Sequence, residues 1–181
     1  MGFVLMDAAD MRRTLGRLAH EILEANGGAE DLVVIGVLRR GWPIAKRLAF
    51  LMTQIEGTTI PSAKLDTRAF RDDRPLVVED DTEIPFDLNE KRVVLVDEVI
   101  FTGRTIRAAL DTLMKHGRPR EVQLAVLIDR GHRELPIAPT FCGKTVVTDR
   151  TDHITVRVNE YDGEDAVLLD KPGHPAGMAS A

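Results

Sequence analysis

Three apolar runs, residues 32–37, 93–96 and 122–128, set the frame of this chain. None shows the strict polar alternation of a strand with one wet face. Runs of this kind are strands buried on both faces, the condition of a parallel sheet covered by helices. The intervening segments carry a helical period. Ile44, Ala45, Leu48, Ala49 and Met52 share a face after Pro43, which suits a first helical turn. Ile106, Ala109, Leu110, Leu113 and Met114 form a second such face, closed off by Gly117 and Pro119. An earlier helix gathers Met11, Leu15, Leu18, Ala19, Ile22 and Leu23, with Asp7 or Asp10 as its cap and Gly27 and Gly28 as its stop. Strand, helix, strand in this order predicts right-handed βαβ units in an open, mostly parallel α/β sheet.

Outside that frame the pattern loosens. A strand is expected after Gly57, to about Asp66. Residues 71–90, with Pro75, Pro85 and several acids, read as a long excursion, hairpin-like in part. Residues 146–169 alternate in short strand-like pieces without a strong helix. The 181 residues fit a single domain by the usual scale of about 100–200 residues per domain. It is expected over 1–171, with a flexible tail at 172–181. Asp and Glu outnumber Lys and Arg by 29 to 24, so the net charge of −5 argues against a general coat for nucleic acid. Cys142, the single cysteine, excludes an internal disulfide. No apolar run approaches the ~18 residues of a membrane span, and the first residues are too short for a signal-peptide core. A soluble, cytoplasmic protein is expected.

The most informative segment is 97–105: Asp97, Glu98, Val99, Ile100, Phe101, Thr102, Gly103, Arg104 and Thr105. Two carboxylates follow a buried strand, and a Thr-Gly-Arg-Thr turn then opens a helix. Ligands of open α/β sheets bind beyond the carboxyl ends of the strands. A helix N-terminus offers free N–H groups and a positive dipole to a phosphate, and Gly103 lets the backbone come close. Asp97 and Glu98 would repel a phosphate directly. Sugar hydroxyls, or the waters of a Mg²⁺, suit such hard oxygen ligands. The plain alternative is a capped turn with two solvated acids.

This segment resembles the phosphoribosyl-pyrophosphate (PRPP) signature of type I phosphoribosyltransferases. A second run, from Gln123 through Ile128-Asp129-Arg130-Gly131-His132-Arg133-Glu134-Leu135-Pro136 to Ile137, resembles the PyrR family more specifically, as do Arg12-Arg13, Arg17 to Glu21, and Phe70 to Asp73. The resemblance covers roughly residues 4 to 169. It implies a type I phosphoribosyltransferase fold, a mostly parallel sheet flanked by helices with a small hood built from the C-terminal strands and the N-terminal segment. It implies uracil phosphoribosyltransferase activity, with Mg²⁺ bound alongside PRPP, and UMP-responsive attenuation of pyrimidine operons through their mRNA. It also implies a homo-oligomer. A purine-specific transferase, or an RNA-binding regulator with vestigial catalysis, are the alternatives.

Carried over residue by residue, the resemblance places Asp97 and Glu98 at the ribose and Thr102 to Thr105 at the 5′-phosphate. Arg39, Arg40 and Gly41 match the pyrophosphate loop. Arg71 falls in the loop that closes over the reacting centre and joins the two acids as a catalytic residue. Arg130 and His132 lie near the base, and Ile154 near the hood strand whose main chain would read uracil. Arg17, His20 and Lys144 match the RNA surface. Phe70 and Phe101 stand where the family has tyrosines, and Ala138 where it has an arginine.

Two further motifs compete for attention. Residues 138–145 loosely match a glycine–lysine–threonine phosphate loop, but prolines precede them and β-branched residues follow, where a helix is required. His20 to Glu24 approaches a zinc-protease helix whose second histidine is missing. No dedicated metal site is expected, and Cys142 has no activating partner and is expected to be buried packing.

Overall fold

A computed structural model of the chain describes residues 2–72 and 79–172. The strands and helices run in the order β1 (Phe3–Met6), α1 (Ala8–Asn26), β2 (Leu32–Val37), α2 (Gly41–Glu56), β3 (Ser62–Leu65), β4 (Arg92–Ile100), α3 (Arg104–Leu113), β5 (Glu121–Asp129), β6 (Phe141–Thr145), β7 (His153–Arg157), α4 (Asn159–Asp162) and β8 (Ala166–Asp170), with one 3₁₀ turn, Arg68–Phe70, after β3. Five strands make an all-parallel sheet in the order β3-β2-β4-β5-β6. A separate antiparallel sheet, β1-β8-β7, is the small hood of C-terminal strands and N-terminal segment.

Side-chain alternation sorts the apolar runs onto two cores. Val34, Val94, Val96, Ala125 and Leu127 face α1, α2 and the hood strands. Val33, Ile35, Val37, Val93, Leu95, Leu124 and Val126 face α3 and the buried Leu88. A strand hydrophobic at every position is the consequence of burial on both faces. Asp7 caps α1, accepting from the Asp10 N–H, while Asp10 reaches back to the Asp7 N–H, a reciprocal capping box. Gly27 ends that helix in the left-handed conformation, at φ 65°.

The structure corrects the sequence reading at several points. The second apolar run does not stop at Val96. β4 continues through Ile100, because Asp97, Val99 and Ile100 remain paired with β5. The two acids therefore lie within the strand rather than after it. Residues 141–145, given no element from the sequence, are strand β6, paired parallel to β5; Gly143, Lys144 and Thr145 open no helix, in keeping with the phosphate loop already set aside on its flanking residues. A Cβ on Gly143 would stand 2.5 Å from the Leu127 carbonyl oxygen, which is why glycine occupies this strand. Met114 is half exposed rather than on the buried face of α3, since the helix ends at Leu113. Within 71–90, residues 73–78 lie outside the described residues. Residues 79–90 meet the sheet by one antiparallel bridge, Lys64 to Glu83. The tail expected at 172–181 lies outside the described residues apart from Pro172. Cys142 is only partly buried, against the second core.

Candidate active site

The carboxyl ends of β2, β4 and β5 converge on one edge of the sheet, and three loops meet there. The closest approach is enforced by a glycine. A Cβ on Gly41 would lie 2.6 Å from the Val96 carbonyl oxygen and 3.2 Å from the Asp97 Cα. Only a residue without a side chain lets the Leu38–Gly41 turn press against β4 at its first acid. A cis peptide joins Leu38 and Arg39 in this turn.

Asp97 is buried, 4% exposed, and its Oδ1 accepts the Glu98 N–H at 2.9 Å. Burial, then the neighbouring Glu98 charge, push the Asp97 carboxyl well above its ordinary 3.8, against a smaller opposing pull from Arg71. Glu98 is half buried beside it. Among the described residues no three His, Cys, Asp or Glu side chains gather as a metal site.

Past β4 the chain turns sharply at Gly103, φ 91°, and enters α3. No side chain caps this helix at its N-cap residue. The Thr102 Oγ1 accepts from the Arg104 N–H at 3.3 Å. A cavity of about 370 Å³ opens over the turn, with Arg71 and Glu134 on its wall. Thr102, Gly103, Arg104 and Thr105 all line it, so the structure brings the expected phosphate-turn residues together with Arg71. The Arg104 guanidinium is held at the mouth by carboxylates. Its Nη1 donates to Asp72 at 2.8 Å and its Nε to Glu134 at 3.3 Å, and Glu134 also accepts from Arg150. These pairs are partly exposed, and exposed pairs are weak.

Arg130 and His132 build a shelf beside the turn. Arg130 is 6% exposed. Its guanidinium lies 4.0 Å from the Phe101 ring centroid, and its Nη2 donates to the Asp149 carbonyl at 2.9 Å. Among the described residues its buried Nε has no hydrogen-bond partner. His132, at φ 63°, packs edge-on to Phe101 and sits 2.7 Å from the Thr148 carbonyl oxygen through Nε2. Phe101 is thereby the ring that both residues hold. Ile154 lies on hood strand β7, opposite Leu169, and packs on the first core.

Arg39 and Arg40 reach the hood. Arg40 donates to Asp162 from Nε at 3.2 Å and from Nη2 at 2.8 Å. Asp162 raises the Arg40 pKa most, and Glu98 adds to it from the acid pair. Arg39 stacks 5.0 Å above the Tyr161 ring. Asp162, Tyr161, Asp72 and Glu134 were not among the site residues expected from sequence. Asp72 and Glu134 fall within the runs that carry the family resemblance, which gives them no role of their own, and no local signal singles out Tyr161 or Asp162, whose partners lie 122 positions away.

The residues matched to RNA lie on α1 and on β6, which adjoins it. Arg17 donates to Glu21 at 2.7 Å and to the Gly143 carbonyl, which ties α1 to β6. Lys144 follows on β6, its Nζ 3.2 Å from the Leu5 carbonyl. His20 is exposed one turn along α1 from Arg17.

The Phosphoribosyl transferase domain family matches residues 5–162. "Bifunctional protein PyrR" of Thermus aquaticus is 53% identical over 176 residues, covering 93% of this chain and 96% of that protein. "Bifunctional protein PyrR 2" of Lactiplantibacillus plantarum is 51% identical over 168 residues, 91% of this chain and 97% of its own. Among solved structures, a hypoxanthine phosphoribosyltransferase from Staphylococcus aureus shares the fold with a TM-score of 0.72 at 16% identity, over 94% of this chain and 91% of that one. A purine phosphoribosyltransferase from Pyrococcus horikoshii aligns with a TM-score of 0.62 at 26% identity, over 78% and 85%. An acid pair at the end of the central parallel strand, a Thr-Gly-Arg-Thr turn over an open helix start, and identity of half the residues across nearly the whole chain lead to one assignment: the chain belongs to the PyrR family of type I phosphoribosyltransferases.

Proposed function

We propose that this chain joins N1 of uracil to C1 of PRPP, releasing pyrophosphate and forming UMP, and that UMP in turn promotes its binding to pyrimidine-operon attenuator RNA. The observation that carries the first half is the placement of Asp97 and Glu98 between the α3 turn and the Gly41 loop. The C1–oxygen bond to pyrophosphate breaks as the N1–C1 bond forms, the bonding pair leaves on the pyrophosphate oxygen, and the N1 proton passes to the released pyrophosphate or to water. Positive charge grows at the ribose while negative charge grows on the leaving group. Asp97 and Glu98 accept the ribose hydroxyls and face the developing cation, while the Thr102–Thr105 turn fixes the 5′-phosphate. Arg40 and the Gly41 loop meet the departing pyrophosphate. Fixed charges aimed at charge that develops in the transition state are the main catalytic resource of such a site. Arg130 and His132 shape the base side with Phe101, and Ile154 on β7 offers main-chain groups to uracil.

Mg²⁺ bound with PRPP fits Asp97 and Glu98. Both are hard oxygen donors, and burial together with the Glu98 charge disfavours the Asp97 carboxylate despite the opposing pull of Arg71, a cost that a bound cation would offset. The ion would supply neutralisation of pyrophosphate charge.

A PRPP-dependent assay offering uracil, hypoxanthine and guanine in competition tests this reading. UMP is expected as the product, with the purines left unused. Purine nucleotide in place of UMP overturns the base assignment, and no nucleotide at all leaves a regulator without catalysis.

The RNA half rests on the exposed cations Arg17 and Lys144, and His20, on α1 and the adjoining strand β6. Replacing Lys144 with alanine removes one phosphate contact. The slope of log affinity against log salt should fall by about 0.7–0.9, with UMP synthesis unchanged. A mobility-shift titration against an operon leader, with an unrelated RNA beside it, reads this directly. Equal affinity for both RNAs, with and without UMP, removes the regulatory half.

A further inference from the structure

The hood turn α4 is fastened to the helix that begins at the pyrophosphate loop. Arg47 of α2 donates to Asp165 at 2.8 and 2.9 Å and to Glu160 at 2.9 Å. Between these anchors Asp162 grips Arg40, and Tyr161 carries Arg39 on its ring. Asp162 also accepts the Val158 N–H at 2.8 Å, so the carboxylate that holds Arg40 is itself set by the start of the turn. The two contacts to Asp162 use the Nε/Nη2 edge of the guanidinium. A guanidinium has five donors in a rigid plane, so fixing that edge orients the Nη1 side without consuming it. The Arg40 side chain remains 34% exposed, and it lies within electrostatic reach of Glu98. A long arginine on a loop otherwise samples many rotamers, and holding it beforehand removes that entropy from ligand binding.

We infer that Asp162 and Tyr161 are positioning residues, which fix Arg40 and Arg39 of the pyrophosphate loop so that the diphosphate end of PRPP meets them already oriented. This rests on the proposed transferase reading and adds to it a dependence of the pyrophosphate subsite on a turn of the hood. The 5′-phosphate subsite, built by α3, does not share that support.

The asymmetry makes the inference testable. In Asp162→Asn the amide oxygen still accepts the Val158 N–H, while the charged clamp on Arg40 is lost. Calorimetric titration of the full-length protein with pyrophosphate, and separately with UMP, is the measurement. The variant should bind pyrophosphate about 3–10-fold more weakly, roughly 0.7–1.4 kcal/mol, and its KM for PRPP should rise in step. UMP affinity, KM for uracil and melting temperature should hold. Tyr161→Leu should weaken pyrophosphate about 2–5-fold, the scale of an exposed cation–π contact, and Tyr161→Phe should restore it. Unchanged or tighter pyrophosphate binding in Asp162→Asn overturns the inference, as does equal weakening of UMP, which marks a merely structural role. Should Asp162→Asn fail to fold, the Leu and Phe variants at Tyr161 decide alone. Wild-type protein that binds neither PRPP nor pyrophosphate refutes the transferase reading itself, and the inference with it. Normal wild-type turnover with indifferent variants refutes only the inference.

Discussion

The double variant Asp97→Asn, Glu98→Gln is expected to fold and to turn over PRPP at least about 10²-fold more slowly, the scale of losing a charged group that stabilises a transition state. Both replacements keep size and hydrogen-bonding shape, so the loss isolates charge. Asp97 carries a second expectation, opposite in sign. Its carboxyl holds its proton more tightly in the folded protein than in the unfolded chain, because burial and Glu98 disfavour the charge. Stability from this group is therefore full below the ordinary 3.8 and is lost as pH rises toward the folded value. Asp97→Asn alone, without substrate, should melt higher than wild type at neutral pH, by roughly 2–4 °C for each kcal/mol relieved. The gain should vanish near pH 4. A melting series from pH 4 to 8 beside a steady-state assay tests both halves. A folded double variant with near-normal turnover would remove these acids from the mechanism, and a single variant that melts lower at pH 7 would contradict the burial argument.

Arg104→Ala should raise the dissociation constants of PRPP and UMP about 10–100-fold, the value of one or two charge-assisted hydrogen bonds to a phosphate at 1.5–3 kcal/mol. Free Arg104 is held by Asp72 and Glu134. Both contacts are exposed, so their loss should barely move the melting temperature. Fluorescence or calorimetric titration with UMP reads the affinity. Unchanged UMP binding would put the phosphate cradle elsewhere. Residues 138–145 could not supply it, since 141–145 are strand.

Much of the architecture was legible in the order of residues. The helices announced themselves through spacing and caps. Asp7 and Gly27 bracket α1, and Pro43 falls in the first turn of α2. These signals act between residues a few positions apart, so a one-dimensional reading can use them. The Thr102–Thr105 turn was visible for the same reason, and the family resemblance added Arg39, Arg40 and Arg71 as expected site residues. Strand limits were less legible. β4 carries Asp97 and Glu98 inside it because ladder pairing with β5 outweighs their low strand propensity. β6 was hidden because Cys142, Gly143, Lys144 and Thr145 have no apolar signature, and only the edge of β5 makes them a strand.

The sequence by itself determined the β/α order, the parallel sheet, the Thr102–Thr105 turn and the chemical types gathered at the carboxyl ends of the strands. Tertiary structure alone decided which charges meet. Arg40 finds Asp162 122 positions away, Arg104 finds Asp72 and Glu134, and Arg130 finds Phe101. It alone buried Asp97 and so raised its pKa. Local propensity and capping depend on neighbours within one or two turns. Ion pairing and desolvation depend on distance through space and on what excludes water, and neither is defined until the chain has closed on itself.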